Sequence, residues 1–308
     1  MTVKEFPRSK IYLGNVIAIG NQKGGVGKST NVTHLAAALG EIGYKVLVID
    51  LDPTAGATNI FGVPPESFIG TLELLKGAET LDSCLLEDGA EFKRVDEESG
   101  KEIVEVLNLP RGVSLVPARE GLGKIEDWLY NQKYVNRLAL LEKPLKTARK
   151  QFDFIFLDTP PQPGAATTLA AYATADWFLL SSTPEGLAIQ ALASALSEIA
   201  HIQEDLNQKL EVIGLLLTRA KKSAKYFRIV QDVVDQVFPG RAFTTTIGES
   251  VVFQTAFEKG ITLFQDPKLS KHPCADSYRE IAKEIVWRAK NRDKFLDKSN
   301  KLRKQVNG

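Results

Sequence analysis

The sequence contains little cysteine and no long apolar segment. Its two cysteines among 308 residues, Cys84 and Cys274, lie far apart, and neither stands beside a second cysteine or a histidine-rich run. This pattern favours buried or free thiols in a reduced compartment. No stretch approaches the roughly 20 consecutive apolar residues that span a bilayer, and the opening residues MTVKEFPRSK lack the apolar core of a signal peptide. We therefore expect a cytoplasmic protein.

The sequence also lacks an excess of charge of either sign. It has 39 lysines and arginines against 38 aspartates and glutamates, and 44% of its residues are hydrophobic. This composition is typical of a globular protein and excludes collagen-like, low-complexity and disordered chains. Because the net charge is close to zero, any nucleic acid must be bound through a local basic patch and not through a global cationic field.

Five short apolar runs are continuous, without the alternation of a half-exposed strand. Continuous runs indicate burial on both faces, as in a parallel sheet. The runs occupy residues 16–19, 46–49, 154–157, 177–180 and 212–217. Segments with helical periodicity alternate with them at residues 31–42, 165–175, 188–206 and 224–237.

Strands that alternate with helices predict an α/β fold, a doubly wound and mostly parallel sheet with helices on both faces. No internal repeat and no Pro-, Gly- or Ser-rich linker divides the chain. We therefore expect residues 1–308 to form a single domain.

Two segments differ in charge from the rest of the chain. Residues 87–105 carry eight acidic residues against three basic ones, which predicts an exposed hairpin or loop insertion, most simply a solvated surface excursion. Residues 288–308 are rich in lysine and arginine, which predicts a basic helix or tail. A membrane-surface helix needs a broad apolar face, and few apolar side chains in this tail could supply one. Membrane binding is therefore the weaker interpretation of the tail.

The segment that predicts chemistry follows the first strand and precedes a helix: residues 20–30 read GNQKGGVGKST. Strand, glycine loop and helix in this order is the context that a phosphate-binding loop requires. Backbone amides of such a loop can surround an anion, and the helix N-terminus adds partial positive charge. We expect Lys28 to reach the terminal phosphates, Thr30 the inner ones, and Ser29 to hold Mg²⁺. The rest of the expected cradle consists of Gly24, Gly25, Val26 and Gly27.

The loop departs from the standard GxxxxGK[ST] pattern, because Gln22 stands at the first glycine position and Lys23 precedes the double glycine. This variant, KGGVGKST with its additional lysine, resembles the deviant Walker A box of the ParA/MinD superfamily of P-loop ATPases. The resemblance continues through residues 46–54, VLVIDLDPT, and residues 154–161, FIFLDTPP, which are similar to the Walker B strand and second switch. Because only about fifteen residues precede the first strand, the chain is most similar to ParA partition ATPases of the short type, without an N-terminal helix-turn-helix domain.

The resemblance implies ATP and Mg²⁺ as cofactors and a role for each charged residue of the motifs. Lys23 would reach across a dimer to the nucleotide phosphates of the second subunit. Asp52 would position or activate the attacking water. Asp50 would support the magnesium shell, and Asp158 would bond to a magnesium-bound water. The implied catalytic residues are Lys23, Lys28 and Asp52.

Two segments differ from the common ParA pattern. After Asp52 the chain reads PTAGAT, so that Thr54 replaces a glutamine and Gly56 an asparagine. This difference concerns the contacts of the first switch with partners more than hydrolysis, because Asp52 is retained. The loop at residues 244–250 lacks the proline that is usual near the adenine pocket. We expect Thr218 and Arg219, at the end of the last apolar run, to line that pocket.

A basic cluster follows the last apolar run. Residues 219–228 contain five basic residues and no acid, interleaved with Tyr226 and Phe227. In the family this region forms part of a surface for nonspecific DNA, and the alternative is a solvated helix face. No base-reading motif is visible, which predicts binding to phosphates without sequence preference. The expected DNA-binding residues are Arg219, Lys221, Lys222, Lys225, Arg228 and Arg241.

The resemblance implies an ATP-driven positioning switch at the nucleoid. ATP closes a homodimer, the dimer binds DNA, and a ParB-like or other adaptor protein stimulates hydrolysis, so that a plasmid, a chromosome or another large cargo is positioned. One alternative is a MinD-like membrane-associated ATPase. The other is an electron-transfer ATPase similar to the nitrogenase iron protein, which needs paired cysteines that Cys84 and Cys274 do not match.

Overall fold

A six-stranded sheet forms the centre of the computed structural model, which describes residues 14–21, 23–64, 68–95, 101–119, 121–132, 135–184, 189–220, 232–234, 236 and 238–307. The strands in chain order are β1 (Asn15–Gly20), β2 (Val46–Asp50), β3 (Glu91–Val95), β4 (Glu102–Val106), β5 (Val113–Val116), β6 (Phe154–Asp158), β7 (Trp177–Ser182) and β8 (Glu211–Leu217). The central sheet has the order β5-β2-β6-β1-β7-β8, and each neighbouring pair is parallel. The predicted doubly wound parallel fold is confirmed, and each of the five apolar runs forms a strand.

Strand β5 was not predicted from the sequence. It has four residues, VSLV, and the buried Ser114 interrupts the apolar pattern on which the prediction depends. Its place at the edge of the sheet follows from parallel pairing with β2, in which Val46 faces Val113.

Helices cover both faces of the sheet. They are α1 (Lys28–Glu41), α2 (Gly56–Ile60), α3 (Thr71–Lys76), α4 (Leu81–Cys84), α5 (Ile125–Tyr130), α6 (Glu142–Gln151), α7 (Ala166–Thr174), α8 (Ile189–Asp205), α9 (Val252–Glu258), α10 (Pro273–Lys290) and α11 (Arg292–Asn307). Successive residues of β1 enter opposite halves of the core, with Val16 and Ala18 in one and Ile17 and Ile19 in the other. Residues of α1 and α10 pack in the second half and residues of α6, α7 and α8 in the first. Burial on both faces explains why the strands are continuously apolar.

The acidic segment contains an antiparallel hairpin, which is separate from the central sheet. Strands β3 and β4 pair with Glu91 opposite Val106 and Val95 opposite Glu102. Phe92 is buried and meets the ring of Phe68 edge-on, which attaches the hairpin to the body of the protein.

The C-terminal segment is helical, but it does not present all of its basic residues to solvent. Arg288 is only 3% exposed, and its guanidinium donates hydrogen bonds to the carbonyls of Ile213, Arg241 and Ala242. Main-chain acceptors thus hold this first arginine of the basic segment inside the fold. Within the described ranges, no helix combines the length and the apolar composition that crossing a membrane requires.

Candidate active site

The carboxyl ends of neighbouring strands bring the separate sequence motifs together. Strand register places Asp50, the last residue of β2, beside Asp158, the last residue of β6. On its other side, Asp158 is paired with Ile19 of β1, one residue before Gly20 and the glycine loop. In doubly wound sheets, ligands bind at this edge. The strand order β2-β6-β1 thus assembles the predicted site.

Glycine conformations shape the loop between β1 and α1. Gly25 and Gly27 have φ angles of 73° and 78°, in the left-handed region that glycine adopts without steric cost. Among the described residues other than its two chain neighbours, no heavy atom lies within 4 Å of the position where a side chain at Gly25 would begin, so this side of the loop is open. On the inner side, the Val26 carbonyl accepts hydrogen bonds from Ser181 Oγ at 2.8 Å and Thr218 Oγ1 at 3.0 Å. The loop is therefore anchored through the Val26 carbonyl.

The loop holds two lysines in opposite environments. Lys28, the first residue of α1, is buried, and this burial lowers the pKa of its ammonium, although the carboxylates of Asp158 and Asp52 act in the opposite direction. The Lys23 side chain is exposed, and its main-chain N–H donates a hydrogen bond to Asn21 Oδ1 at 2.8 Å. Lys28 thus belongs to the interior of the loop, whereas Lys23 lies at the surface.

Asp158 is fully buried, and neither oxygen of its carboxylate has a hydrogen-bond partner among the described residues. Burial raises the pKa of Asp158 well above its ordinary value, and the charge of Asp50 adds to this effect, while Ser29 and Lys28 counteract it only in part. A buried carboxylate without donors is costly unless a cation accompanies it.

Asp158 and the Ser29 hydroxyl fit a Mg²⁺ ion. Magnesium usually takes one or two protein oxygens and fills its other positions with water and substrate phosphates. In the part of the chain that the structure describes, no three acidic, histidine or cysteine residues cluster to hold a metal by themselves. This fits an ion that arrives with the nucleotide and neutralises phosphate charge.

Asp50 is held by donors from the chain that follows β2. Its Oδ2 accepts hydrogen bonds from the Thr58 N–H at 2.9 Å and the Thr58 hydroxyl at 2.7 Å, and its Oδ1 accepts from the Asp52 N–H at 3.1 Å. Burial nevertheless raises the pKa of Asp50 to about 6. Because protein donors engage both oxygens, the geometry suits the predicted supporting role better than direct metal contact.

Asp52 lies within the same group of charges. It is 7% exposed, and its charge acts on both Lys28 and Asp158. Its Oδ1 accepts two hydrogen bonds from Thr54, one from the main-chain N–H at 2.9 Å and one from the hydroxyl at 2.8 Å. The carboxylate therefore has a defined direction.

The residues predicted for the inner phosphates and the adenine pocket occupy three environments. Thr30 is half-buried in the first turn of α1. Thr218 is buried beside the glycine loop, where it donates to the Val26 carbonyl. Arg219 follows with a φ of 54° and an exposed side chain that lies 3.4 Å from Glu249. The assignment of these residues to nucleotide contacts stays a prediction.

Only part of the predicted DNA surface can be located. Arg241 is mostly buried and lies 3.2 Å from Glu211 Oε2, so that it would have to leave this partner to contact a phosphate. The side chain of Arg219 is the better exposed of the two arginines. The remaining predicted DNA-binding residues lie outside the described residues: Lys221, Lys222, Lys225 and Arg228.

Several polar residues that shape the site were not predicted. Asn21 Nδ2 donates to the Ser181 carbonyl at 2.6 Å while its Oδ1 accepts from the Lys23 N–H, so that Asn21 ties the loop to β7. Asn31 Nδ2 donates to Ser181 Oγ at 2.8 Å. The two asparagines could have been recognised from the sequence, because they flank the glycine loop. Ser181 and Thr58 could not be recognised in this way, because their contacts with the motifs form only in the folded structure.

The chain is similar to known proteins over most of its length. The AAA_31 family model, described as an AAA domain, matches residues 14–212. The chain is 30% identical over 272 residues to the chromosome-partitioning ATPase Soj of Thermus thermophilus, a match that covers 88% of this chain and 95% of Soj. It is 29% identical over 280 residues to the chromosome partitioning protein ParA of Myxococcus xanthus, with 90% and 89% of the two chains covered. A solved structure described as cobyrinic acid a,c-diamide synthase from Mycobacterium smegmatis, with bound ADP and magnesium, matches with a TM-score of 0.69 and 25% identity, and covers 91% of this chain and 96% of that chain.

Proposed function

The chain belongs to the ParA/Soj family of P-loop ATPases, and we propose that it is an ATP-dependent dimerising switch that binds nonspecific DNA in its ATP state and positions a large cargo. Its reaction is the hydrolysis of ATP to ADP and phosphate with Mg²⁺. A water oxygen bonds to the γ-phosphorus as the bond from that phosphorus to the bridging oxygen breaks, and a proton is released to solvent.

The described side chains support a role for the protein in each part of this reaction. Lys28 and the loop amides hold the phosphates, and Asp158 with Ser29 would hold the metal. Asp52, adjacent to these groups, accepts a hydrogen bond from the attacking water. Positioning and charge stabilisation dominate phosphoryl transfer, and these groups are of the chemical types that supply both.

One observation carries the proposal of a dimer: the two lysines of the glycine loop lie in opposite environments. Lys28 is buried inside the loop and serves the nucleotide of its own chain, whereas the side chain of Lys23 is exposed. Asn21 fixes the main chain at Lys23, so that the exposed ammonium starts from a defined position. A lysine so placed is suited to the phosphates of a nucleotide in a second copy of this chain.

Family membership and charge support DNA as the partner of the dimer. The relatives in Thermus and Myxococcus are named for chromosome partitioning, and residues 219–228 are basic without an acid. Contact with phosphates alone gives binding without sequence preference, which suits movement over a nucleoid. A ParB-like or other adaptor would accelerate hydrolysis and release the dimer.

The membrane alternative is weaker in this fold. A surface-bound amphipathic helix needs an unpartnered apolar face. In α11, Phe295 is 3% exposed and Leu296 packs against the core, so these apolar residues are used within the fold. The electron-transfer alternative is also weaker, because Cys84 and Cys274 are both buried and burial raises the pKa of the Cys84 thiol to about 11.

Sedimentation of the full-length protein with ATP and Mg²⁺ tests the dimer. We expect a dimer in ATP and a monomer in ADP, and we expect Lys23→Ala to bind ATP but to stay monomeric. Lys76→Ala, at the C-terminal end of α3, is the control that should dimerise normally. An ATP-bound Lys23→Ala dimer of parental stability would contradict the proposed role of Lys23 across the interface.

A further inference from the structure

Both donors of Thr54 converge on one oxygen of Asp52. The main-chain N–H lies 2.9 Å and the hydroxyl 2.8 Å from Oδ1. Thr54 is exposed, whereas Asp52 is only 7% exposed, so the two hydrogen bonds join a surface residue to a buried carboxylate. Because both hydrogen bonds end on Oδ1, neither of them involves the second carboxylate oxygen, Oδ2.

The chain from Asp52 to α2 is a short closed turn that fixes the position of Thr54. Pro53 restricts its own φ, and the Ala55 N–H donates to the Asp52 carbonyl at 2.9 Å. At the far side, Asn59 Nδ2 donates to the Thr54 carbonyl at 3.3 Å. Ala55 has a φ of 54°, a left-handed conformation that residues other than glycine adopt rarely. The turn therefore holds the Thr54 main chain where its hydroxyl meets the carboxylate.

Two donors on one oxygen restrict the direction of the other oxygen. The terminal torsion of an aspartate is broad, so a single donor leaves the carboxylate free to swing. Convergent donors narrow this motion, and donors to a charged acceptor form the stronger class of hydrogen bond. Catalysis by positioning depends on this precision, since a misplacement of about 1 Å can reduce a rate on the order of 100-fold.

We propose that Thr54 is a positioning residue, which orients Asp52 so that Oδ2 can accept a hydrogen bond from the attacking water. The inference rests on the proposed ATPase role of Asp52. It also gives a function to a difference noted in the sequence, where ParA proteins commonly have glutamine at this position. A glutamine places its side-chain donor two bonds further from the main chain than a threonine hydroxyl does. The paired bonds to Oδ1 therefore need a short hydroxyl side chain in this turn.

Single-turnover hydrolysis of bound ATP at saturating Mg²⁺ tests the proposal with Thr54→Val and Thr54→Ser. Valine keeps the branched shape and the main-chain donor but removes the hydroxyl. We expect the hydrolysis rate to fall about ten-fold in Thr54→Val with ATP affinity unchanged within about two-fold, because the loss concerns orientation and not binding. Serine restores the hydroxyl, and we expect it to recover most of the rate.

Matched variants separate positioning from folding and from failure of the proposed function. Thr80→Val removes another exposed hydroxyl that bonds within its own turn, and it should leave hydrolysis unchanged. In an Asp52→Ala background, Thr54→Val should cause no further loss, because Thr54 acts through Asp52. Thr54→Ala provides a second hydroxyl deletion if Thr54→Val does not fold. Parental hydrolysis in either deletion variant, or an equal fractional loss with and without Asp52, would overturn the inference, whereas an inactive parent protein would overturn the proposed function instead.

Discussion

The Tyr278 hydroxyl donates a hydrogen bond to Asn31 Oδ1 at 2.8 Å, although the two residues are 247 positions apart in the chain. Asn31 Nδ2 donates in turn to Ser181 Oγ at 2.8 Å, and Ser181 Oγ donates to the Val26 carbonyl at 2.8 Å. The side chains of all three linking residues are buried, with at most 1% exposed. A buried relay of polar groups thus joins helix α10 to the phosphate loop. Such networks specify geometry strongly because an unsatisfied member is costly in a low-dielectric core.

We expect Tyr278→Phe to weaken ADP binding as well as folding. The substitution leaves Asn31 Oδ1 without its donor, which should lower the free energy of unfolding by about 1–3 kcal/mol. The freed Asn31 can then reorient and release Ser181 from the loop carbonyl. Calorimetric titration with ADP and urea unfolding measure the two effects, with Tyr44→Phe as a control at an exposed hydroxyl that contacts Lys290. Loss of stability with parental ADP affinity would show that the relay is structural only.

The sequence predicted five of the six strands of the central sheet and the glycine loop that follows β1, because both depend on local patterns. Continuous apolar runs follow from burial on both faces, and a glycine loop before a helix has a local sequence signature. Residues such as Ser181 and Tyr278 could not be predicted, because their importance comes from contacts that form only when β7 and α10 have been placed. The buried position of Arg288 could not be predicted for the same reason. Its charge is visible in the sequence, but the carbonyls that bury it belong to three distant residues.

The first switch should tolerate glycine at position 55 but not a side chain at position 56. Ala55 has a φ of 54°, so Ala55→Gly should remove backbone strain and raise the free energy of unfolding by up to about 1 kcal/mol. A Cβ at Gly56 would overlap the Ser29 hydroxyl. We therefore expect Gly56→Ala to weaken Mg²⁺-dependent ATP binding, because either the turn or the hydroxyl must move. Fluorescent ATP titration with and without Mg²⁺ checks this, and equal magnesium enhancement in the parent and Gly56→Ala proteins would contradict it.

The carboxylates beside the metal position should make the nucleotide-free protein less stable as pH rises. Burial raises the pKa of Asp50 from 3.8 to about 6 and raises that of Asp158 well above its ordinary value. A carboxyl whose pKa is higher in the folded than in the unfolded state costs no stability below the unfolded-state pKa. This cost grows as pH rises from the unfolded-state pKa through the folded-state pKa. The contribution of Asp50 to stability should therefore decline from about pH 4 through pH 6, and Asp158 should extend this decline to higher pH.

Asp158→Asn removes the larger of these penalties. In EDTA and without nucleotide, we expect this variant to be more stable than the parent at pH 7, by about 1–3 kcal/mol, with a smaller difference at pH 5. The same variant should bind ATP weakly in the presence of Mg²⁺, since the metal loses its buried carboxylate. Urea unfolding at the two pH values is the measurement, and the exposed Asp205→Asn serves as the control. A destabilised Asp158→Asn protein at pH 7 would show that the buried charge is balanced in a way that the described contacts do not include.

Nucleotide state should control DNA affinity through the number of phosphates contacted. Binding to duplex DNA weakens with salt at a slope of about 0.9 per neutralised phosphate. If each chain contributes roughly three contacts from the basic cluster, the slope should be about 3 for a monomer and about 5 to 6 for a dimer. Joining two weak sites in one dimer makes the second contact intramolecular, which raises affinity without a new kind of contact.

Titration of random-sequence duplex at several salt concentrations measures this slope. We expect the steep slope with ATP-bound protein, a shallow one with ADP, and loss of affinity when Lys221 and Lys222 are changed to glutamate. Because Arg241 is paired with Glu211, Arg241→Gln should alter the slope less than the lysine changes, and it acts as an internal comparison among the predicted DNA-binding residues. Equal salt slopes in ATP and ADP would show that DNA binding by the basic cluster does not depend on the bound nucleotide. If, in addition, vesicles with anionic lipid bound the ATP form more tightly than DNA did, the exposed lysines of α11 would be the better candidates for the nucleotide-gated surface.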